Sequence, residues 1–256
     1  MSSKPCYYHD SHCHLLQFKN IDNVIKEASA HNVTKIVAVS MYKDENFEVL
    51  KLAQKYPNII IPALGVHPIV ISKKTDIIEL FNEIAELIKK NIAKIKFIGE
   101  IGLDRYFSKD KDIFNKQKQI FEKFLGIAEK YKLNVSIHGK NAENEVLEIL
   151  RSFKIKTKIF HWLSVNDSKI IKKAIEDGFH FSVNFSIKYS KKVQNLVKNA
   201  PLNKLLYESD GPYKYKGGTQ GTPILIPMIA KDISNLKKLN TDEICRSLQK
   251  NFENIL

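Results

Sequence analysis

The chain has 256 residues, 43% of them hydrophobic, enough for one large core or two small ones. No apolar run reaches the ~18 residues that a membrane span requires, so a helical membrane protein is excluded. No such run follows Met1-Ser2-Ser3-Lys4-Pro5 either, so no secretory leader is expected and a cytoplasmic location is. The net charge of +13 favours an anionic partner. The excess is almost wholly lysine, scattered over many helix faces, with arginine only at Arg105, Arg151 and Arg246. It therefore supports nucleic acid without selecting it, since lysine-rich composition also accompanies growth at high temperature. Three cysteines, Cys6, Cys13 and Cys245, form an odd set with no paired spacing. That predicts a reducing compartment, no disulfide framework and no disulfide-linked partner.

Tyr7-Tyr8 leads into His9-Asp10-Ser11-His12-Cys13-His14, a short strand running into a loop. Alternation predicts Asp10, His12 and His14 on one face, with Ser11 and Cys13 on the other. Two imidazoles and a carboxylate on one face suit a divalent metal; the alternative is a solvated polar strand end. A helix follows near 21–28, then a β-branched strand, Lys35 to Ser40, and a helix from Glu45 to Tyr56 stopped by Pro57. Ile59 to Pro68 reads as a strand with a polar tip at His67, and 76–90 repeats Ile77, Leu80, Phe81, Ile84, Leu87 and Ile88 at helical spacing. Strand and helix then alternate: 95–102 and 114–131, 134–138 and 142–153, 157–162 and 168–176, 179–185 and 191–198. The last strand is 204–210, and helices near 223–235 and 241–251 close the chain. Asn240-Thr241-Asp242-Glu243 supplies capping side chains to the final helix.

Eight strands, each followed by helix, argue for a parallel sheet with helical crossovers. At this length they predict an α/β fold, a single closed (β/α)₈ TIM-type barrel over residues 1–256 with C-terminal helices. An open doubly wound sheet is the alternative, but it usually carries a glycine-rich phosphate loop after its first strand, and none is present. Barrel sites lie at the C-terminal strand ends. There the sequence sets Asp10, His12 and His14 on strand one, His67 on strand three, Glu100 on strand four, His138 on strand five, His161 on strand six, and Glu208 and Asp210 on strand eight.

His12, His14, His138, His161, Glu100 and Asp210 amount to more ligands than one open catalytic site uses. They suit two divalent ions (Mg, Mn or Zn) with one carboxylate between them, and two such ions clamp the oxygens of a displacement. Glu100 is the expected bridge, because strand four lies between the two histidine pairs in chain order.

These residues resemble the TatD family of metal-dependent deoxyribonucleases, among the amidohydrolase-like barrels, over nearly the whole chain. The resemblance is carried by Asp10-Ser11-His12-Cys13-His14, Gly65-Val66-His67-Pro68 and Gly99-Glu100-Ile101-Gly102-Leu103-Asp104. It continues in Ile137-His138 followed by Ala142, His161 followed by Ser164, and Glu208-Ser209-Asp210-Gly211-Pro212-Tyr213, all in the family's order. It implies that His12 and His14 bind a first metal, completed by Asp210, that His138 and His161 bind a second, and that Glu100 bridges. It implies phosphodiester hydrolysis of DNA by metal-activated water, as a 3′–5′ exonuclease, with Asp210 beside that water as proton acceptor. His67 and Lys140 are then expected on the substrate phosphate, and Asp10, Asp104 and Glu208 as supports of the ligands. For His67 a loop or capping role stands as the alternative, for Glu208 a structural salt bridge, and for Trp162 a core position instead of base stacking.

Departures from the family pattern are Lys140 near a usual arginine, Trp162-Leu163-Ser164-Val165 without the glycine after the serine, and a 213–222 loop without arginines. Lysine lacks the bidentate fork, which bears on substrate grip more than on metal binding. Two other functions are compatible with the sequence. One is a hydrolase of a small ester, lactone or amide on the same barrel. The other is a non-catalytic, basic nucleic-acid-binding protein.

Overall fold

The computed structural model describes residues 6–256. Eight strands pair in parallel in strict chain order: β1 (Tyr8–Cys13), β2 (Val33–Val39), β3 (Ile60–Leu64), β4 (Phe97–Asp104), β5 (Asn134–Lys140), β6 (Lys158–Phe160), β7 (His180–Val183) and β8 (Leu205–Tyr207). The sheet closes where β1 meets the segment after β8. Asp210 donates its backbone N–H to the His12 carbonyl at 3.0 Å, and His14 donates to Gly211 at 2.8 Å. The expected barrel is therefore the observed one, and the open sheet is excluded. Among the described residues no helix is long and apolar enough to cross a membrane.

Between and after the strands run α1 (Ile21–Ala30), α2 (Glu45–Lys55), α3 (Ile77–Lys90), α4 (Lys111–Tyr131), α5 (Glu143–Leu150), α6 (Ser168–Glu176), α7 (Lys191–Asn199), α8 (Ile226–Lys237) and α9 (Thr241–Ile255). Their starts follow from capping side chains that take orphan N–H groups: Asp76 before α3, Asp110 before α4, Asp167 before α6 and Asn240 before α9. The apolar stripe read along 76–90 is the buried face of α3, with Ile77, Ile84 and Ile88 against the core.

Strand alternation splits the core in two. Ile36, Ala38, Leu64, Ile98 and Phe160 face the helices. Val37, Val39, Ala63, Phe97, Ile159 and Leu206 turn inward and meet Phe252 and Ile255 of α9. The last helix thus plugs the N-terminal end of the barrel, and the Asn134 amide ties it there by donating to the Ile255 carbonyl at 2.6 Å. His9 stacks flat on Phe252, ring centres 4.1 Å apart, and burial lowers its pKa to about 3, so it sits neutral in this plug.

Several sequence expectations need correction. β4 runs on to Asp104, so Glu100 lies within the strand and not at its end. A register shift between Ile98 and Ile101 re-aims it, as bulges do. Gly102, two residues further on at φ 146°, lets β4 and β5 approach closely, since a Cβ there would run into the His138 carbonyl. β6 and β8 are shorter than the apolar runs suggest, which leaves His161, Glu208 and Asp210 in the turns just beyond them.

The cysteine expectation is overturned. Cys6 and Cys245 form an intrachain disulfide, Cα atoms 6.2 Å apart across a sequence separation of 239. α9 packs back against β1, a meeting that no local cysteine spacing announces. Cys13 is a free, fully buried thiol, as alternation predicts.

Two measurements follow from this packing. Replacing Phe252 by Ala opens a cavity in the plug and should cost about 3–5 kcal/mol in urea unfolding, far from the barrel mouth. Thiol titration of the denatured protein should count one reactive sulfur before reduction and three after; three at the outset would remove the Cys6–Cys245 bridge.

Candidate metal centre

Five imidazoles and four carboxylates converge at the C-terminal mouth, and Glu100 is at their centre. Its Oε2 lies 3.2 Å from His12 Nε2 and 3.2 Å from His14 Nε2. Its Oε1 lies 2.8 Å from His138 Nδ1, 3.2 Å from His67 Nε2 and 3.7 Å from His161 Nε2. Asp210 Oδ1 faces the same space, 3.7 Å from His14, 3.9 Å from His12 and 4.0 Å from His161. Three sets of donor atoms fall within 4.8 Å of one another: His12, His14 and Asp210; His12, Glu100 and His161; His67, Glu100 and His138. All six residues expected as ligands are thus together, and His67 is nearer the centre than a residue that only touches substrate need be.

Behind this ring four of the five imidazoles, all but His14, are held by their other nitrogen, which fixes their orientation. His12 Nδ1 meets Ser136 Oγ at 2.9 Å, His138 Nε2 meets Asp104 Oδ2 at 2.8 Å, and His161 Nδ1 meets Glu208 Oε2 at 2.8 Å. Glu208 accepts in turn from Ser182 Oγ and, at 2.8 Å, from Asn184 Nδ2. His67 Nδ1 accepts the Ile69 N–H at 3.0 Å, so the neutral ring carries its proton on Nε2, aimed at Glu100. Asp10 departs from the simple alternation picture. β1 is irregular between Asp10 and Cys13, and Asp10 Oδ1 accepts the N–H groups of Ser209 (2.9 Å) and His12 (3.1 Å). It staples β1 to the β8 turn instead of joining His12 and His14 on one face. Lys140 stands exposed at the rim, its ammonium 5.7 Å and 5.8 Å from the ring centres of Trp162 and Tyr106.

Ser136, Ser182, Asn184 and Ser209 escaped the reading of the sequence. A signal existed for three of them. Ser136 stands two residues before His138, and Ser182 and Asn184 are two apart, so period-two alternation sets each on the inward face.

The electrostatics are those of a site built for positive charge. Burial pushes Glu100 up, but His67, His12 and His161 outweigh it and hold the carboxylate well below its usual range. Burial pulls His161 down, and Glu208, Glu100 and Asp210 reverse this, to about 10. His138 and His14 are raised against burial by their carboxylate neighbours. His12, buried and beside His161, falls to about 3, and burial raises Asp210 to about 7. Two buried atoms, Glu100 Oε2 and His14 Nδ1, have no hydrogen-bond partner, and such an orphan costs about 1–3 kcal/mol, more when charged. A cation beside Oε2 satisfies the carboxylate, and the imidazole–carboxylate donor set suits Zn, Mn and, less well, Mg. The residues present therefore fit divalent metal.

A barrel whose mouth gathers imidazoles around a buried carboxylate is the architecture of a metal-dependent hydrolase. The profile of the TatD related DNase family matches residues 9–256, and the chain belongs to that family. It is 30% identical to a protein of Methanocaldococcus jannaschii described as an uncharacterized metal-dependent hydrolase, over 95% of this chain and 94% of that one. It is 25% identical to human deoxyribonuclease TATDN3, over 92% of this chain and 89% of that one. Among solved structures, the TatD homolog YjjV of Escherichia coli K12 superposes with a TM-score of 0.87 over 98% of both chains at 24% identity, a likeness of fold.

The carboxylates beside His161, His14 and His138 raise their pKa values and favour protons on these rings. A divalent ion taking those nitrogens must expel them. Calorimetric titration with Mn²⁺ is expected to give at least about 10-fold tighter binding at pH 8 than at pH 6, with protons released to buffer. Equal affinity at both pH values would mean that the ion binds elsewhere.

Proposed function

We propose that this TatD-family protein is a deoxyribonuclease that hydrolyses phosphodiester bonds at two divalent ions held in the barrel mouth. The observation that carries the reading is the division of Glu100: one carboxylate oxygen faces His12 and His14, the other faces His138, His67 and His161. In this assignment His12, His14 and Asp210 would hold one ion and His138 and His161 the other, with Glu100 available to both. The chemistry supplied by such a pair, when bound, is activation of water at neutral pH and neutralisation of charge on the phosphoryl oxygens.

The chain's own residues do the rest. Asp210, buried and facing the cluster, is the proton acceptor for the attacking water and the donor to the leaving oxygen. His67, with its proton on Nε2, donates to a non-bridging oxygen. Lys140, out at the rim, meets a neighbouring phosphate of the strand. Asp10, Asp104 and Glu208 keep the ligands oriented: Asp104 and Glu208 through histidine rings, Asp10 through the backbone of His12 and Ser209. Binding through phosphates weakens as salt rises. We also propose that 1–256 is one domain and that its exonuclease direction is 3′–5′.

Against an amide or lactone hydrolase with a carboxylated lysine on strand four stands Lys96, exposed just before β4 and away from the mouth, while Glu100 occupies the centre. Against a non-catalytic binder stands the assembly of all six candidate ligands in one buried cluster.

The test is cleavage of single- and double-stranded DNA with Mg²⁺ or Mn²⁺ and with EDTA. Cleavage is expected to stop in EDTA and return with Mn²⁺, and Glu100→Ala is expected to lose metal together with activity. Asp210→Asn should lower kcat by about 10²–10⁴-fold, the usual worth of a positioned acid–base group. Undiminished cleavage in excess chelator, or an active Glu100→Ala protein, rejects the metal mechanism.

A further inference from the structure

Four side chains with exposed or half-exposed faces ring the mouth above the cluster: Tyr106, Lys140, Trp162 and Tyr213. Each leaves its strand end just after a cluster residue: Tyr106 two residues after Asp104, Lys140 two after His138, Trp162 next to His161 and Tyr213 three after Asp210. Trp162 lies 6.3 Å from the His161 ring, meets Tyr213 edge-on at 4.9 Å and leans on Tyr215 at 5.6 Å. Tyr215 is buried and donates its hydroxyl proton to the Ser209 carbonyl at 2.7 Å, so the group is anchored to the β8 turn. The Lys140 ammonium sits between the faces of Trp162 and Tyr106. Tyr106 and Tyr213 remain 55% and 50% exposed. Trp162 has φ 40°, a left-handed conformation that is costly for a bulky side chain and is held only where the surroundings impose it.

These features together describe a ligand. Flat apolar faces beside a cation accept a planar ring by stacking and cation–π attraction. They stand one to three residues along the chain from a cluster fitted to cations, whose partner is an anionic phosphate. A nucleotide carries both parts, joined by a sugar.

We infer that Trp162 and Tyr213, with Lys140 and Tyr106 facing them, form a seat for one unpaired nucleobase beside the cluster. The inference deepens the nuclease reading and rests on it for the placement of the phosphate. A base inside a duplex has both faces covered by its neighbours and must be unstacked at a cost before it can use such a seat. The strand therefore enters single-stranded, and selection comes from the base face and not from base-edge hydrogen bonds.

Trp162 is the chain's single tryptophan, so its fluorescence reports the seat without any turnover. The full-length protein in EDTA is titrated with a short oligothymidylate, with an abasic sugar–phosphate strand of equal length, and with a blunt duplex. Saturable quenching is expected with oligothymidylate at concentrations at least 10-fold below those of the other two, in line with the worth of a base stack. Tyr213→Ala, altered at an exposed position and still carrying the fluorophore, should weaken oligothymidylate binding about 5- to 150-fold and leave the abasic strand unaffected. Absence of quenching, equal affinity for thymidylate and abasic strands, or an unaltered Tyr213→Ala overturns the seat, even in a protein that cleaves DNA with Mn²⁺. Base-dependent quenching in a protein that cleaves no phosphodiester with any metal upholds the seat and removes the nuclease reading instead.

Discussion

A buried carboxylate shared among five imidazoles is the interaction on which this molecule turns. Glu100 is almost fully removed from water, and an isolated charge there would be prohibitive. The surrounding rings make it tolerable, and they converge because four strands, β1, β3, β5 and β6, deliver them to one point. The mutual dependence is structural as well as electrostatic. Three of the rings are steered by a partner from another element: His12 by Ser136 of β5, His138 by Asp104 of β4, His161 by Glu208 beyond β8. A change in any one strand's register would disperse the cluster.

The barrel separates what stabilises it from what acts. At the N-terminal end, inward-facing apolar side chains and the α9 residues Phe252 and Ile255 fill the interior. At the C-terminal end the inward positions become polar, and the glycine- and bulge-containing path of β4 departs from ideal strand geometry. That division is the general one for parallel β/α barrels, and it lets one end of a strand be selected for packing while the other is selected for chemistry. Asp10 closes the seam of the barrel: its carboxylate holds backbone N–H groups on both sides, in β1 and in the β8 turn.

The rim differs in kind from the centre. The centre is closed and satisfied from within, apart from Glu100 Oε2, His14 Nδ1 and Asp10 Oδ2. The rim is aromatic, cationic and open to water. The Lys140 ammonium reaches over ring faces as a compact charge, without the planar fork that grips phosphate in two places. A surface built this way presents ring faces and a single positive charge to whatever enters the mouth.

The alternation of β-branched runs with amphipathic stretches was enough to determine the barrel, because burial on both faces of a parallel strand and on one face of a helix leaves those periods in any such chain. The spacing of His12, His14, Glu100, His138, His161 and Asp210 near the strand ends was enough to mark the cluster for the same reason: in a barrel, all strand ends face one mouth. Only the tertiary structure decided the rest. Strand ends follow from backbone hydrogen bonding between neighbours, so Glu100 proved to lie inside β4 at a bulge, and His161 and Asp210 in turns. Asp10 left the face that alternation assigned it because β1 is irregular there. The pairing of Cys6 with Cys245, the sharing of Glu100 between its two oxygens and the meeting of Tyr106, Lys140, Trp162 and Tyr213 are contacts between distant segments. Local sequence carries periodicity and composition; the distances between far-apart side chains exist only once the sheet has closed.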